Sequence, residues 1–447
     1  MGSILPPTTP PTYKTPWNPT PLIESTTLSR AAGCRIFLKL ENIQPSGSFK
    51  SRAMGNQILS HLLKPENHHR PVHFYASSGG NAGLAAVCAA RSLGYPCTVV
   101  VPVSTKPLMV QKLRNAGAAD VIQYGETFSE AGQYMKDVVM KTKNTDGEES
   151  ADDVVKIALH PFDNEPIWQG NSTIIDELVE QIPPPVGEEE EEVHAGRALP
   201  VDAIVCSVGG GGLLNGLVMG IERHRAKAKM SSSSAAAADD DGASKPVHLV
   251  AVETKGTDSL ATALESNELV SLPKITSQAT SLGAIKVSER TFQYAVQPPP
   301  GVKVHSAVFS DAEAARGVLR LVDDERLLVE LACGVCVEAA VGGAGCASSS
   351  SSSKMVAAGQ KRKRGLDAGY VSKDEGYGDD RLSAGENEDD GPVSSPLSSS
   401  GRLQSKLKEL VPDLNEDSRV VIIVCGGSNV TIDMAAEWRK MLAEGWA

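Results

Sequence analysis

A lysine set in a turn of small residues is the first place in this chain where residue type and spacing suggest chemistry. In Pro45-Ser46-Gly47-Ser48-Phe49-Lys50-Ser51-Arg52, which follows an apolar run, Gly and Ser let the backbone turn sharply enough for Lys50 to point into a cleft. An amine whose pKa is depressed by burial or by nearby cations condenses with an aldehyde to a Schiff base. A lone Lys is more commonly a surface charge, so Lys50 draws its weight from three further motifs. Ser77-Ser78-Gly79-Gly80-Asn81-Ala82-Gly83 lies between a strand pattern and a helix pattern, where backbone N–H groups and hydroxyls converge on an anion such as a carboxylate; a tight turn needing glycines accounts for it equally well. Ser207-Val208-Gly209-Gly210-Gly211-Gly212-Leu213 again joins a strand to a helix. Four consecutive glycines leave amides bare around a phosphate at a positive helix end, more than a turn by itself asks for. Val424-Cys425-Gly426-Gly427-Ser428-Asn429 ends an apolar strand, where ligands of open α/β sheets collect, although a Cys there also reads as core.

Several chemistries are excluded. Gly209 and Gly211 are followed by Leu214, and Gly210 and Gly212 by Asn215, where a dinucleotide fingerprint requires Gly, and no Lys-Ser/Thr of a P-loop follows. The nine histidines form no HExxH, and Cys333-Gly334-Val335-Cys336 has no second ligand pair nearby, so a transition-metal site is not expected. A buried Lys, an anion-binding Asn loop, a monophosphate cradle and a polar group at a strand end together meet the needs of pyridoxal phosphate.

The elements that must position these motifs alternate. Ile36 to Leu40, His73 to Ala76, Thr98 to Val101 and Asp120 to Gln123 read as strands, with helices over Asn81 to Leu93, Lys106 to Ala116 and Ser129 to Lys141. The rhythm restarts at Ala203 to Cys206 and Leu249 to Val252, and ends with Val420 to Val424 and a helix from Asn429 to Leu442. Such alternation implies crossovers and a mostly parallel sheet covered on both faces, in two α/β units or one with an insertion.

The 447 residues exceed the roughly 100–200 of one domain. No apolar run of about 18 residues could cross a bilayer, and a net charge of −12 repels phosphate backbones, so neither membrane nor nucleic acid is an expected partner. Cys34, Cys88, Cys97, Cys206, Cys333, Cys336, Cys346 and Cys425 are scattered, several within apolar runs, as reduced thiols are, and no targeting segment opens the chain; a cytoplasmic protein is expected. Residues 1–19 form a Pro-rich leader. Residues 183–200, with Glu188 to Glu192, and 226–246, a Ser/Ala/Asp tract, read as solvated surface loops, and about 342–417 as disordered. Lys361-Arg362-Lys363-Arg364 within the last is a solvated charge run with nuclear import as the alternative.

Together with Leu272-Pro273-Lys274-Ile275-Thr276-Ser277 and Val322-Asp323-Asp324-Glu325, these motifs resemble, in order, the eukaryotic L-serine dehydratase/L-threonine deaminase family of fold-type II pyridoxal-phosphate enzymes, from about Thr20 to Gly342 and again from Arg419. The resemblance implies an α/β fold of two domains, each a mostly parallel sheet flanked by helices: a small one over 52–159 and a larger one over 20–51 plus 160–447. It implies that Lys50 holds the cofactor and removes the Cα proton, that Phe49 and Ser281 flank the ring, that Asn81 meets O3′, that Gly209, Gly210, Gly211, Gly212 and Leu213 hold the phosphate, and that Cys425 faces the ring nitrogen. Ser78, Gly79, Gly80, Asn81 and Ala82 would take the substrate carboxylate, and Glu253, Thr257, Ser259, Leu282 and Ala284 a potassium or sodium ion. The implied reaction is β-elimination from L-serine or L-threonine to a keto acid and ammonia, in a homodimer. Gly79 stands where serine racemases present a second serine, which disfavours racemisation, and Leu331 replaces a usual Pro. No regulatory domain is expected after the last helix, which favours a degradative role. The alternatives are β-replacement of the threonine synthase or cysteine synthase kind, and a non-catalytic scaffold, against which the intact Lys50 argues.

Overall fold

In the computed structural model the described residues are 11–142, 154–183, 199–231, 245–343 and 405–447, and all of them belong to one contact unit. The chain begins with β1 (Leu22–Glu24), α1 (Thr26–Ala32), β2 (Arg35–Lys39) and α2 (Lys50–Leu62). It continues through β3 (Val72–Ala76), α3 (Asn81–Ser92), β4 (Cys97–Val101), α4 (Pro107–Ala116), β5 (Asp120–Gln123), α5 (Phe128–Asp137) and β6 (Val155–Ala158). After α6 (Glu165–Gln181) come β7 (Ala203–Ser207), α7 (Gly212–Ser231), β8 (Val247–Thr254), α8 (Ser259–Ser266), α9 (Glu289–Val296) and β9 (Val302–Phe309). The last elements are α10 (Asp311–Glu325), α11 (Leu331–Val341), α12 (Lys406–Leu410), β10 (Arg419–Ile423) and α13 (Ile432–Ala443).

The strands form two sheets, ordered β1-β2-β10-β7-β8-β9 and β5-β4-β3-β6. Among the described residues only the β1–β2 strand pair is antiparallel; all the other strand pairs are parallel. Every residue of β4 and of β7 is buried, the signature of strands covered on both faces, and this is why their sequences run apolar without alternating. The expected two-domain α/β architecture is therefore present, and its decisive feature is the place of β10. This strand, from the far end of the chain, lies between β2 and β7, with Val421 opposite both Phe37 and Ile204. The carboxyl ends of β2, β10, β7 and β8 thus open on one rim, where sheets of this kind bind ligands.

Helix α11 is apolar all round and every residue in it is buried, as a helix threaded through a core must be. Its single acid, Glu338, pairs with Arg316 at 3.5 Å and Arg320 at 3.4 Å from α10.

Two expected inserts are shorter than their composition suggests. Helix α7 continues to Ser231, past the start of the tract at Ala226, because Ala226 and Lys227 are good helix formers extending an amphipathic helix. The expectation of disorder over 342–417 fails from Ser405 onward: α12 forms there, and Leu407, Val411 and Leu414 are buried. Those three recur at helical spacing, a signal masked by the charged residues between them. The rest of these tracts, with Lys361 to Arg364, lies outside the described residues. Of the Pro-rich leader, residues 11–19 are described and hold no helix or strand, and their end is fastened: Asn18 N–H donates to Gln44 Oε1 at 3.0 Å and Gln44 Nε2 returns a bond to Asn18 O at 2.8 Å. Among the described residues no helix is long and apolar enough to cross a membrane.

Candidate active site

The turn before α2 is held to the end of β10. Ser48 bridges Gly426, and Phe49 N–H donates to Cys425 O at 3.1 Å. Lys50 is the first residue of α2, which has no side-chain cap and no acid in its first turn, so the positive end of the helix opposes its charge. Its Nζ donates to Pro161 O at 3.0 Å and lies 5.1 Å from the Phe49 ring centroid. Among the described residues no carboxylate pairs with it. Burial pushes its pKa down to about 8, with the Cys425 thiol opposing slightly.

Below this amine, the same helix carries a fully paired cation. Arg52 forks onto Glu41 at 2.8 and 2.7 Å and onto Glu177 at 2.6 and 2.9 Å. Lys39 Nζ donates to Glu177 Oε2 at 2.6 Å, Gln181 Oε1 at 2.7 Å and Thr20 O at 2.7 Å. Burial alone would lower the Arg52 pKa, but Glu41 and Glu177 raise it above its ordinary value. For Lys39 burial wins and the pKa falls. Two cations against two acids leave this layer neutral, and it ties the leader, β2, α2 and α6 together beneath Lys50.

The four glycines open α7. The carbonyls of Gly210 and Gly212 are held by Ser288 N–H at 3.1 Å and Asn171 Nδ2 at 2.9 Å, and the Gly211 carbonyl by Asn215 N–H at 3.0 Å. The first-turn amides, Gly212 and Leu213 among them, have no intrahelical acceptor and form the anion-binding end of the helix. Packing asks for these glycines as well, more than the expectation that structural need rarely calls for four in a row allowed. A Cβ on Gly210 would meet the Phe162 ring at 2.2 Å, one on Gly212 the Phe162 carbonyl at 2.4 Å, and one on Gly209 the Leu282 backbone at 3.1 Å. Gly211 has φ +90 and Thr291 Oγ1 1.9 Å from the same construction. Ser281, next to Leu282, is exposed beside this loop.

At α3, Ser78 Oγ accepts from Gly80 N–H at 3.3 Å, and the helix begins at Asn81 with its own first-turn amides free of intrahelical acceptors. Ala82 is buried. Asn81 reaches across to the six-stranded domain: its Nδ2 donates to Glu330 Oε1 at 3.0 Å and its Oδ1 accepts from Ser428 N–H at 2.9 Å. The second bond fixes the amide's orientation and leaves one Nδ2 hydrogen free. A Cβ on Gly79 would lie 2.7 Å from Thr105 Cγ2, so the Gly is enforced by its neighbour.

Cys425 is buried beside Ser207, Sγ to Oγ 3.6 Å, and burial raises its thiol to about 11. At the end of β8, both Glu253 oxygens accept backbone N–H bonds from Leu260 and Ala261, each at 2.8 Å, at the start of α8. Burial raises the Glu253 carboxyl to about 8. The Thr257 hydroxyl is engaged by Thr254 at 2.7 Å, and Thr254 by Ser277 at 2.8 Å. The Ser259 hydroxyl is buried without a partner. Ala284 N–H bonds Leu282 O at 2.7 Å.

The contacts therefore bring Phe49, Lys50, Asn81, the glycine run, Ser281 and Cys425 to one rim. Glu330, Phe162 and Pro161 also belong there without having been expected, as does Ser207, which opens the glycine motif but was given no role of its own. Glu330 had a readable signal, a lone acid immediately before an apolar helix; Phe162 had none, since its partner glycines lie in another element.

The chain matches the family model described as pyridoxal-phosphate dependent enzyme over residues 13–358, and it belongs to that family. It is 38% identical over 326 residues to the L-serine dehydratase of Saccharomyces cerevisiae (strain AWRI1631), covering 72% of this chain and 84% of the relative. It is equally 38% identical over 320 residues to the L-serine dehydratase/L-threonine deaminase of Mus musculus, covering 72% and 81%. Among solved structures it is similar to a fungal L-serine ammonia-lyase from Rhizomucor miehei, with TM-score 0.65 and 25% identity over 96% of this chain and 99% of that one.

Proposed function

We propose that this protein is a pyridoxal-phosphate-dependent L-serine/L-threonine ammonia-lyase, yielding pyruvate or 2-oxobutyrate and ammonia. The observation that carries the proposal is Lys50: an amine at the rim with no anionic partner and a pKa pushed to about 8, beside a thiol rather than an acid. When bound, the cofactor supplies an aldehyde for amines and a ring that withdraws electrons from the substrate's Cα. The residues present fit such a group. The amides opening α7 would hold its phosphate, Phe49 and Ser281 would flank the ring, and the free Nδ2 hydrogen of Asn81 would serve the phenolic oxygen. Cys425 would face the ring nitrogen, where its thiol, kept protonated by burial, supplies no anion to hold a proton on that nitrogen. Ser78 and the amides opening α3 take the substrate carboxylate. Lys50 Nζ removes the Cα proton, and its low pKa keeps a usable fraction of the amine neutral near pH 7.

Gly79 speaks against racemisation, because it offers no side-chain acid/base where serine racemases present a second serine. Glu253 with no cationic partner and the unpartnered Ser259 hydroxyl support a potassium or sodium ion there. Strand membership supports a small domain at 52–159, with 20–51 and 160–447 forming the larger one. The free state of Cys34, Cys88, Cys97, Cys206, Cys333, Cys336 and Cys425 supports a cytoplasmic location. The homodimer rests on family resemblance, and light scattering tests it. The deciding assay mixes purified protein and pyridoxal phosphate with L-serine, L-threonine or D-serine and measures keto acid and ammonia; no keto acid from either L-amino acid refutes the proposal.

A further inference from the structure

The segment between β6 and α6 reaches the rim that holds Lys50, and one side chain shapes it. Its start is tied down where Leu159 N–H donates to Tyr75 O at 2.8 Å. Within it, Phe162 N–H and Asp163 N–H both donate to His160 Nδ1, at 3.3 and 2.9 Å. Among the described residues neither amide has a main-chain acceptor, so the ring does for them what the side-chain oxygen does in an Asx turn. A ring nitrogen that accepts main-chain N–H bonds carries a lone pair and no hydrogen, which leaves the ring hydrogen on Nε2. The His160 ring also meets the Phe162 ring edge-on, with centroids 5.2 Å apart at 75°. Trp168 Nε1 donates to Phe162 O at 3.2 Å and fixes the far side of the turn.

The turn that His160 closes presents two groups to the site. Pro161, inside it, has no N–H and a fixed φ, and its carbonyl accepts from Lys50 Nζ at 3.0 Å. Phe162 lies against the glycine run, its ring and carbonyl filling the space that a Cβ on Gly210 or Gly212 would need. An amine that donates to Pro161 O turns its lone pair away from that oxygen, so the place of the carbonyl sets the direction in which Lys50 can react. We infer that His160 is a positioning residue: its Nδ1, acting as an acceptor, closes the turn that aims Pro161 O at the free amine of Lys50 and seats Phe162 on the glycine run. This rests on the reading that Lys50 captures the cofactor, and His160 acts on that step through Pro161 and Phe162.

The test follows capture of pyridoxal phosphate by the full-length apoprotein, read as the rate at which the absorption band of covalently held cofactor appears, in two variants that separate the acceptor from the ring. His160→Phe keeps an aromatic ring beside Phe162 and removes the acceptor. His160→Asn removes the ring and keeps an oxygen able to accept from amides two and three residues on. His160→Phe is expected to slow capture about 10- to 100-fold, the scale of a misplaced reacting group, and His160→Asn to restore most of that loss. In the ¹⁵N spectrum of the histidine-labelled wild type, the ring signals that vanish in His160→Asn should show Nδ1 without hydrogen and Nε2 with it. Capture by His160→Phe at the wild-type rate, capture by His160→Asn slowed about tenfold or more, or a hydrogen on Nδ1 each overturns the inference. Lys50→Ala separates this from the reading beneath it. If that variant still captures cofactor covalently, the Lys50 reading fails and the inference with it; if it does not and His160→Phe is unimpaired, only the inference fails. Should His160→Phe not fold by circular dichroism, His160→Asn and the nitrogen signals decide on the same criteria.

Discussion

Lys50 and Arg52 are cations two positions apart on one helix, and the structure treats them in opposite ways. Arg52 has two carboxylates in fork geometry, and its pKa rises although it is fully buried. Lys50 has one carbonyl at 3.0 Å and no acid, and its pKa falls to about 8. Burial is common to both; pairing is what differs. A charge meant to stay must be compensated, whereas an amine meant to react must be able to lose its proton, so the compensating acids stop one turn short of it. The paired layer also pins the start of α2 to β2, α6 and the leader, which fixes where Lys50 emerges.

The largest expected effect breaks the reactive half. Lys50→Ala should lower keto-acid formation by about 10³-fold or more and abolish the absorption band of covalently held cofactor, with the circular dichroism unchanged. A retained band would place the cofactor on another lysine. The structural half breaks next: Arg52→Met leaves Glu41 and Glu177 without their main counter-charge and should cost about 3–5 kcal/mol in urea unfolding. A cost below 1 kcal/mol would show that the paired layer is not what anchors α2.

The contrast sharpens with pH. Cofactor capture by the apoprotein needs neutral Lys50, and the neutral fraction grows with pH. The capture rate should therefore rise about tenfold per pH unit below about 8 and then level off. A rate still climbing toward 10.5 would mean an unshifted amine. Glu253 is the acidic counterpart, a buried carboxyl without a cation. Its folded pKa, raised from 4.5 to about 8, means that the folded state keeps a proton the unfolded chain has released, so stability falls as pH rises across that window. Potassium chloride, compared with choline chloride at pH 8, should reverse this fall and raise Tm by about 2–4 °C, and Glu253→Gln should remove the gain. An equal response to both salts would count against the cation site.

Much of this site was legible because it is built from local patterns. The turn around Lys50, the loop before Asn81 and the run from Gly209 to Gly212 each sit between a strand and a helix, and hydrophobic periodicity shows such junctions without knowledge of the rest of the chain. The glycine run was only half understood, since its steric partner Phe162 lies on a separate segment after β6. The apolar spacing of Leu407, Val411 and Leu414 was hidden by composition, which averages over the few residues that matter for burial.

The sequence by itself determined the alternation of strands and helices, the lysine, the anion-binding helix ends and the thiol at a strand end, because each is a property of a few neighbouring residues. Only the tertiary structure decided that Arg52 is paired and Lys50 is not, that Glu330 holds Asn81, and that Ser207 meets Cys425. These contacts join different elements of the chain, and the last of them exists because β10 inserts between β2 and β7. Which strands become neighbours is set by how the whole core closes, and no local pattern encodes that.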